Sequence, residues 1–417
     1  MVQKMDKKLK ISFSHPIREQ LAQIAIGLKD FELSFQSKDL IITNKNSWKV
    51  KSPTVIEVFN KLLNILKKTL QLKLGLINFK FYRDAQADLY LANGGFLISD
   101  KPYVVYVEKS TQLYGYTGKN YNKFLSKKML KFFLKDQNLK YIFFRTKTAR
   151  RGMANIPCFD KKIKKLLKEK SVSIYPPLSN PSKVTLQRFR QKNTIIKFLF
   201  VSSIFYEKGG KELLNAFNKL SKEVNDVQLT IITKISRLSN EELTKIKSNK
   251  KIILLDANFS REELFLNFFN RAHVFIYPTY SDSFAAVINE AISSYLPIIT
   301  SDFFSIPERV INGYNGFLFK SPFPNYDENM VIYKEHFTKD SSFPEVLFYK
   351  DNKIFLFNVE NFLYSKMKLL ATNKKLLHKM AKNSKKIYEK NINPVKIRED
   401  INNLFLKAVG KNKNAVL

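Results

Sequence analysis

The feature that most constrains the fold is the alternation of short apolar runs with helical patterns. The runs at 196–203, 227–233 and 251–256 are each followed by a stretch in which apolar residues recur at helical spacing. Strands that alternate with helices through short connections form parallel sheets covered by helices. A less regular alternation occupies 9–176, where the first strand is predicted to lead into an amphipathic helix at 18–28. We therefore predict an α/β fold with two such sheets.

A segment rich in proline and serine, 176–184, separates the two series and is typical of an interdomain connector. The segment 321–358 shows no clear period and is interpreted as an excursion from the second domain. Two α/β domains in tandem make a cleft between them the simplest functional geometry. The predicted segments are an N-terminal Rossmann-like domain at 1–178, a linker at 179–193, a C-terminal Rossmann-like domain at 194–375 and a basic helical tail at 376–417.

Cysteine and histidine usage limits the chemistry of the chain. Cys158 is the one cysteine and there are four histidines, which excludes an internal disulfide framework and a cysteine-based zinc site. We predict no metal and a reducing environment. The N-terminal residues lack the apolar core of a signal peptide, and no run reaches the length of a membrane span. These features favour a cytoplasmic protein.

The formal net charge of +36 is the largest deviation in composition. A field of this size favours an anionic partner, and composition alone leaves nucleic acid, an acidic polysaccharide and an anionic membrane surface open. Two basic stretches, 121–135 and 161–170, mix lysine with apolar residues at helical spacing. Such helices either lie on an anionic bilayer or cover a sheet with their lysines in water, and the sequence does not decide between these alternatives.

The stretch 273–300 contains two charged residues, Asp282 and Glu290, in a chain that is 26% charged. Its pattern predicts a strand, a loop, a helix and a second strand, with Asp282 in the loop beyond the carboxyl end of the first strand, where parallel sheets bind ligands. On a helical wheel of 285–295, Glu290 shares its face with small polar residues and no lysine. We interpret this face as lining a pocket rather than facing open solvent.

Two backbone segments are candidates for binding an anion. The loop that carries Asp282 leads into a helix at 284–286, where free N–H groups and the helix dipole favour a phosphate. The segment 205–210 ends with Lys208, Gly209 and Gly210 just after a strand, where glycines permit a close backbone approach and the lysine can face a phosphate. The alternative for Lys208 is one exposed lysine among many.

Taken in order, these segments resemble the retaining, nucleotide-sugar-dependent family-4 glycosyltransferases of GT-B fold. The resemblance rests on FLFVSS, EKGGKELLNAF, VQLTIIT, ANFSREEL and HVFIYPTYSDSF, then on the acid at 282, seven residues and Glu290, and on IPERVINGYNGFLF with Glu308, Gly313 and Gly316. It covers 194–320 and extends in part over 360–405. The family's first acid is usually glutamate, and glycines stand where this chain has Ser283 and Ala285.

The resemblance implies two Rossmann-like domains that face each other across a cleft, with a C-terminal helix crossing back to the first domain. It implies that Asp282 contacts the donor sugar, that Glu290 holds the nucleotide ribose, and that Lys208 contacts the diphosphate, so that Asp282 and Lys208 are the catalytic residues. Phe259 would contact the base of the nucleotide. The other residues expected to bind the donor are Ser203, Gly209, Ser283, Phe284, Ala285 and Ala286, and Glu108 is expected on the acceptor side.

The predicted function is a hexosyltransferase-type glycosyltransferase that needs no metal or other cofactor. It would move a sugar from a nucleotide-diphosphate donor to a glycan, lipid-linked or other acceptor, with retention implied by the resemblance. Nucleic acid is not expected as a partner. The protein is expected to contact the anionic surface on the inner face of a membrane. The alternative is a catalytically inactive GT-B-like protein that binds an anionic polymer or membrane surface. A Rossmann-type dehydrogenase is disfavoured because no G-x-G-x-x-G opens either domain.

Overall fold

The computed structural model describes residues 8–14, 17–18, 22–34, 41–42, 76–114, 121, 123–178, 184, 186–190, 195–321, 326–332 and 352–411. The chain forms two compact units. Unit 1 lies within Met1–Ser179, Asn325–Glu335 and Pro394–Leu417, and unit 2 lies within Asn180–Pro324 and His336–Asn393.

Unit 1 is built on a parallel sheet. Its strands are β1 (Leu9–Phe13), β2 (Ile17–Arg18), β3 (Phe31–Leu33), β4 (Ile41–Ile42), β5 (Phe79–Phe81), β6 (Leu89–Asn93), β7 (Phe96–Ile98), β8 (Tyr103–Val107), β9 (Leu139–Phe144) and β10 (Ser171–Ser173). Six of them form the sheet β10-β9-β8-β6-β1-β3, and β2 pairs with β4 and β5 with β7. In the described part of 1–179, its helices are α1 (Phe124–Lys135), α2 (Lys147–Ala154) and α3 (Lys161–Lys170), with a 3₁₀ turn at Ser110–Tyr114.

Of the helix predicted at 18–28, Ala22 is helical, Arg18 and 23–28 are not, and residues 19–21 lie outside the described residues. Ile17–Arg18 is a short strand, and from Ala22 onward a single helical turn, closed by the Ile26 N–H to Ala22 O bond, passes into turns. Gly27 then adopts a φ of +75°, which ends a helical turn in the left-handed region. The apolar spacing at 22–28 therefore reflects burial in the unit 1 core, and no continuous helix spans these described residues.

Unit 2 contains a second six-stranded parallel sheet. Its strands are β11 (Ile196–Val201), β12 (Val227–Thr233), β13 (Ile252–Asp256), β14 (Val274–Tyr277), β15 (Ile298–Ser301) and β16 (Gly316–Phe319), in the order β13-β12-β11-β14-β15-β16. Its helices are α4 (Gly210–Glu223), α5 (Asn240–Lys247), α6 (Arg261–Leu264), α7 (Ala286–Ser293), α8 (Lys353–Thr372) and α9 (Lys374–Ile387). A π-helical turn at Phe265–Phe269 follows α6, another at Tyr388–Ile392 follows α9, and 3₁₀ turns lie at Gln187–Arg190, Ile235–Arg237 and Ile306–Glu308. The predicted α/β class with parallel sheets is confirmed.

The strand order of unit 2 fixes where a ligand site can form. β11 and β14 are neighbours, and the chain continues from β11 toward β13 on one side and from β14 toward β16 on the other. The loops that follow these two strands therefore meet where the strand order reverses. In open parallel sheets this is the position at which ligands bind.

The C-terminal helix α10 (Pro394–Ala408) belongs to unit 1, as expected of the tail. The Phe405 ring stacks on Phe143, with centroids 5.6 Å apart, and meets Phe31 edge to face. The Asn402 amide donates to the Asp30 carboxylate at 2.6 Å. This helix thus completes the hydrophobic core of unit 1.

The tail of unit 1 is shorter than the 376–417 segment expected from the sequence. Helix α9, which falls inside that segment, packs in unit 2, where the Ser384 hydroxyl donates to Leu296 O and the Asn383 amide to Tyr314 O. The chain joins unit 1 at Pro394, which opens α10. Most of the 321–358 excursion lies outside the described residues, although α8 begins within it at Lys353.

Over the portion of the chain covered by the structure, no helix combines the length and apolar character needed to cross a bilayer. Within the same residues, no three His, Cys, Asp or Glu side chains are grouped so that they could hold a metal ion.

Candidate functional site

An ion pair joins the loops that follow β11 and β14. The Lys208 ammonium lies 3.5 Å from Asp282 Oδ2 and 2.9 Å from Glu207 Oε1, and it also donates to the Ser281 carbonyl. Lys208 is buried, so the alternative of one exposed lysine among many is wrong. The structure brings two of the predicted site residues together at the point where the strand order reverses.

Asp282 organises its own loop. Its Oδ1 accepts hydrogen bonds from the N–H groups of Phe284 (3.0 Å) and Ala285 (2.6 Å), and its Oδ2 accepts one from the Tyr277 hydroxyl (2.8 Å). A short acid suits this role, because aspartate bonds the backbone two or three residues onward in an Asx-type turn. The aspartate at this position is therefore explained by local geometry.

Charge pairing decides the ionisation of this cluster. Burial alone would lower the pKa of Lys208, but the charges of Asp282 and Glu207 outweigh it, and the pKa is raised. Burial would likewise raise the pKa of Asp282, but the Lys208 charge, the two backbone N–H groups and the Tyr277 hydroxyl hold it below its ordinary value. Both side chains are therefore charged at neutral pH.

The two glycines after Lys208 are required by close packing inside the protein. Gly209 has a φ of +68°, and a Cβ there would lie 2.4 Å from the Pro278 carbonyl. A Cβ on Gly210 would lie 2.4 Å from the Phe205 ring. The close approach expected for this segment is therefore to the loop after β14, and it allows Lys208 to reach Asp282.

The N-terminus of α7 is partly occupied by the protein itself. The N–H groups of Phe284 and Ala285, two of the predicted phosphate ligands, are bound by Asp282. The N–H groups of Ala286 and Val287 belong to the first turn, which has no intrahelical acceptors. Ala285 itself has a φ of +52°, a left-handed conformation that glycine adopts without strain. A phosphate at this helix would therefore meet Ala286 and Val287 first.

Arg309 contacts the loop that carries Asp282 and the first turns of α7, and sequence reasoning missed it. Its guanidinium is fully buried, donates to Asn289 Oδ1 at 2.7 Å and to the Phe284 carbonyl, and lies over the Phe284 ring with 4.5 Å to the centroid. The Ser305 hydroxyl adds a 3.1 Å hydrogen bond to the Ser283 carbonyl. The signal available in the sequence was an arginine inside an apolar segment, directly after Glu308.

Glu290 lies on the polar face of α7 and is 6% exposed. Its Oε1 is 3.6 Å from the Arg261 guanidinium at the start of α6. Burial raises the pKa of Glu290, and the Arg261 charge partly offsets this effect. The rest of the face is also enclosed, with Asn289 bound to Arg309 and the Ser294 hydroxyl bonded to Asn270. This face is therefore covered by polar side chains rather than open to solvent.

The remaining predicted residues occupy three places. Ser203 is exposed just after β11, in the loop that carries Lys208. Phe259 follows β13, packs edge to face on Phe268, and precedes Arg261 by two residues. Glu108 belongs to unit 1, where it forms a 2.6 Å ion pair with Arg145 just beyond the ends of β8 and β9. The ligand contacts assigned to these residues stay predictions.

Sequence reasoning also missed three side chains that contact the predicted residues. Glu207 accepts from Lys208, Tyr277 donates to Asp282, and Arg261 faces Glu290. Glu207 adjoins Lys208 in the sequence, and Tyr277 lies in the same short stretch as Asp282. Arg261 is distant from Glu290 in the sequence, and the two meet only in the folded chain.

Comparison with solved structures identifies the architecture. A glycosyltransferase from Rickettsia africae superposes with a TM-score of 0.54 at 14% identity, covering 98% of this chain and 100% of that one. Anabaena HepE, in complex with UDP and glucose, gives 0.52 at 12% identity, covering 95% and 98%. The pneumococcal O-GlcNAc transferase GtfA, in complex with UDP and GlcNAc, gives 0.51 at 16% identity, covering 84% of this chain and 59% of that one. The chain thus has the GT-B fold, with two Rossmann-like units.

The sequence comparison concerns unit 2. Residues 185–329 match the profile described as Glycosyl transferases group 1. The capsular polysaccharide biosynthesis glycosyltransferase CapM of Staphylococcus aureus is 25% identical over 122 residues, which is 28% of this chain and 31% of CapM. The alignment thus spans about a third of that relative. The profile match and the fold together support a GT-B glycosyltransferase.

Proposed function

We propose that this protein transfers a hexosyl group from a nucleotide-diphosphate donor to a glycan or lipid-linked acceptor, with retention of configuration. The observation that carries the proposal is the Lys208–Asp282 cluster at the point in unit 2 where the strand order reverses, beside the N-terminus of α7. The match of 185–329 to the group 1 profile supports the same reaction class. The retaining family-4 mechanism is proposed from the sequence resemblance.

Each residue has a distinct part in this proposal. The departing nucleotide diphosphate carries negative charge, which the Lys208 ammonium and the N–H groups of Ala286 and Val287 stabilise from fixed positions. Asp282 accepts hydrogen bonds from the donor sugar hydroxyls and orients the sugar for transfer. Glu290 accepts hydrogen bonds from the ribose hydroxyls, and the Arg261 guanidinium forms an ion pair with its carboxylate. The Lys208 ammonium and the backbone N–H groups balance the charge of the departing diphosphate, so the proposal includes no metal or other cofactor.

The relatives suggest which donors to test. HepE is complexed with UDP and glucose, GtfA with UDP and GlcNAc, and CapM is named for capsular polysaccharide biosynthesis. We propose a nucleotide-activated hexose as donor and a polysaccharide-type acceptor. UDP-glucose and UDP-GlcNAc are the first sugar nucleotides to assay.

The test combines binding with turnover. UDP, GDP and ADP and their sugars are screened by thermal shift, where a ligand at about 100 times its dissociation constant adds roughly 2.7 kcal/mol of stability. The donor that binds is then assayed for hydrolysis and transfer with wild type and Asp282→Asn. We expect the variant to lose turnover and keep nucleotide binding, because Asn retains an acceptor for the backbone N–H groups. Turnover that is unchanged in the variant contradicts the assignment of Asp282.

We further propose that the protein is cytoplasmic and associates with the inner face of an anionic membrane through α1. Phe124 and Phe132 on this helix are 76% and 66% exposed, among Lys127, Lys128 and Lys135. Exposed aromatic rings flanked by lysines suit the interface of a bilayer. Replacing both phenylalanines with serine should reduce cosedimentation with anionic vesicles, and unchanged binding would argue against this surface.

A second candidate is a catalytically inactive GT-B-like protein that binds an anionic polymer. The observation that favours it is that Lys208 and the N–H groups of Phe284 and Ala285 already have protein partners. This candidate predicts no thermal shift with any nucleotide, together with polyanion binding that weakens steeply with salt.

A further inference from the structure

A basic groove lies at the edge of the unit 1 sheet. It has a volume of about 650 Å³, and it is bounded by α2, α3 and the edge strand β10. Among the described residues that line it, none is acidic and five carry positive charge: Lys147, Arg150, Arg151, Lys164 and Lys168. The remaining lining residues are Ala154, Ser171, Val172 and Ser173. The groove therefore concentrates one sign of charge on a concave surface.

Arg150 is held in place on the groove wall. Its Nε donates to the Ser171 hydroxyl at 3.0 Å, and Ser171 is 7% exposed. This bond fixes the plane of the guanidinium, and its two Nη groups have no hydrogen-bond partner among the described residues. A guanidinium fixed in this way matches the oxygens of a phosphate in two parallel hydrogen bonds.

The edge strand adds a backbone donor. Ile174 N–H bonds to Phe144 O of β9, and alternate residues of a parallel strand point their N–H groups to opposite sides. The Ser173 N–H is therefore directed away from β9, toward the side of β10 that borders the groove and pairs with no other described strand. An anion in the groove would meet this N–H as well as the side-chain cations.

The charges in this groove are arranged by the fold, beyond the general lysine excess. Four of the six lysines of α3 form two exposed pairs of identical spacing: Lys164 and Lys168 line the groove, and Lys161 and Lys165 do not. Like charges gathered on a concave surface repel one another and raise the local positive potential. A bound anion removes that repulsion, and a multivalent anion removes most of it.

We propose that this groove is a binding site for the phosphate groups of a phosphorylated ligand. Arg150 binds phosphate oxygens through its Nη groups, and Lys164 and Lys168 neutralise the remaining charge. The volume exceeds that of a lone phosphate and lies in the range of small-molecule pockets, so it accommodates a phosphate together with the sugar or headgroup that bears it. The proposal does not rest on the glycosyltransferase function, because none of these residues belongs to unit 2.

The test uses inorganic pyrophosphate, titrated calorimetrically into the full-length protein at fixed salt. The groove variant is Lys164→Gln with Lys168→Gln, and the matched control is Lys161→Gln with Lys165→Gln, which makes the same change in net charge on the same helix. Arg150→Lys serves as a third variant, because it keeps the charge and removes the planar fork. Thermal unfolding of every variant checks that the fold is retained.

We expect the groove variant to weaken pyrophosphate binding about tenfold or more, through loss of two charge-assisted contacts, and the control to stay within about twofold. Arg150→Lys should also weaken binding although its charge is unchanged. Absence of binding by the wild type, or equal loss in the groove and control variants, would overturn the proposal in favour of the general positive field.

Vesicles identify the source of the phosphate. Wild type, groove variant and control are cosedimented with phosphatidylcholine vesicles with and without phosphatidic acid. A loss of binding in the groove variant beyond that of the control assigns the site to a lipid headgroup. Equal vesicle binding by the groove variant and the control, with pyrophosphate binding lost in the groove variant, assigns it to a soluble phosphorylated ligand. Both outcomes support the site.

Discussion

The Lys208 ammonium lies 3.5 Å from the Asp282 carboxylate and thereby ties the loop after β11 to the loop after β14. Both side chains are largely buried, and each has further partners, Glu207 for Lys208 and Tyr277 for Asp282. An ion pair held in this way is fixed in position. If the proposed reaction is correct, the charge that meets the donor phosphates is already oriented before the donor binds.

The first prediction concerns the energy of this pair. Lys208→Met leaves Glu207 and Asp282 as neighbouring acids without their cation, whereas Asp282→Asn leaves Lys208 with two acceptors. We expect each single change to lower the free energy of unfolding. The double variant should be less destabilised than the sum of the two, by about 1 kcal/mol or more.

Urea denaturation of the four proteins of this cycle measures the coupling energy. The exposed pair of Lys245 and Glu241 on α5 provides the control cycle, for which we expect only about 0.3–0.5 kcal/mol. A coupling energy no larger than that of the control would show that the Lys208–Asp282 contact is not a structural link.

The second prediction is a pH dependence caused by Glu212. Burial raises the pKa of this carboxyl from 4.5 to about 7, so the folded chain binds the proton more tightly than the unfolded chain. The free energy of unfolding should therefore fall as the pH rises from about 4.5 to about 7 and change no further above that range, by on the order of 3 kcal/mol.

Glu212→Gln removes the titrating group and keeps an acceptor of similar size. We expect this variant to be more stable than wild type above pH 7 and to lack the decline between the two pKa values, as measured by urea denaturation across a pH series. Glu262→Gln, at an exposed position, is the control and should follow the wild-type curve. A Glu212→Gln curve parallel to that of wild type would contradict the raised pKa.

The third prediction concerns Ala285, whose φ is +52°. Ala285→Gly should relieve about 1–2 kcal/mol of left-handed strain, less the roughly 0.4–1 kcal/mol that glycine adds to the entropy of the unfolded chain. We therefore expect a neutral to slightly stabilising change. Ala291→Gly, in the regular part of α7, should instead cost about 1 kcal/mol. Similar losses for both variants, read from the urea midpoint, would show that Ala285 is not strained.

The fourth prediction separates conformational cost from steric cost at two glycines. Gly209 and Gly313 both have positive φ values, of +68° and +75°. A Cβ at Gly209 would collide with Pro278, whereas a Cβ at Gly313 meets no atom within 4 Å among the described residues. Gly313→Ala should cost about 1–2 kcal/mol, and Gly209→Ala about 2–4 kcal/mol.

Chemical denaturation of the two variants, together with a donor-binding assay, measures this difference. Because Gly209 follows Lys208, its replacement should also weaken donor binding, while Gly313→Ala should leave it unchanged. Equal costs for the two variants would mean that the loop after β14 can move away without penalty.

Much of the fold could be predicted because strand and helix formation follow local patterns. The predicted apolar runs of unit 2 became β11 to β15, since continuous apolar stretches of strand length are buried on both faces of a parallel sheet, whereas β16 was not predicted. The same reasoning failed at 23–28, where apolar residues fill the core in turns rather than in a helix. The apolar spacing there predicted correctly which residues are buried, but it predicted a helix where the chain forms turns.

The candidate site divides in a similar way. Asp282 and Glu290 were visible in the sequence because they are acids in a stretch without other charges, and Lys208 because two glycines follow it. Arg309 and Arg261 were not visible as site residues, since their contacts with Asn289 and Glu290 span about 20 to 30 positions of the chain. Such contacts depend on which helices and turns pack together.

The sequence by itself determined the α/β class, strands β11 to β15 of the second sheet and the loop residues that carry charge, because these follow from apolar periodicity and local turn chemistry. The tertiary structure decided that β11 lies beside β14, and hence that Lys208 meets Asp282. It also decided that α9 packs in unit 2 and α10 in unit 1. The physical reason is that strand order and helix docking depend on burying complementary apolar surfaces from distant parts of the chain, which no local pattern specifies.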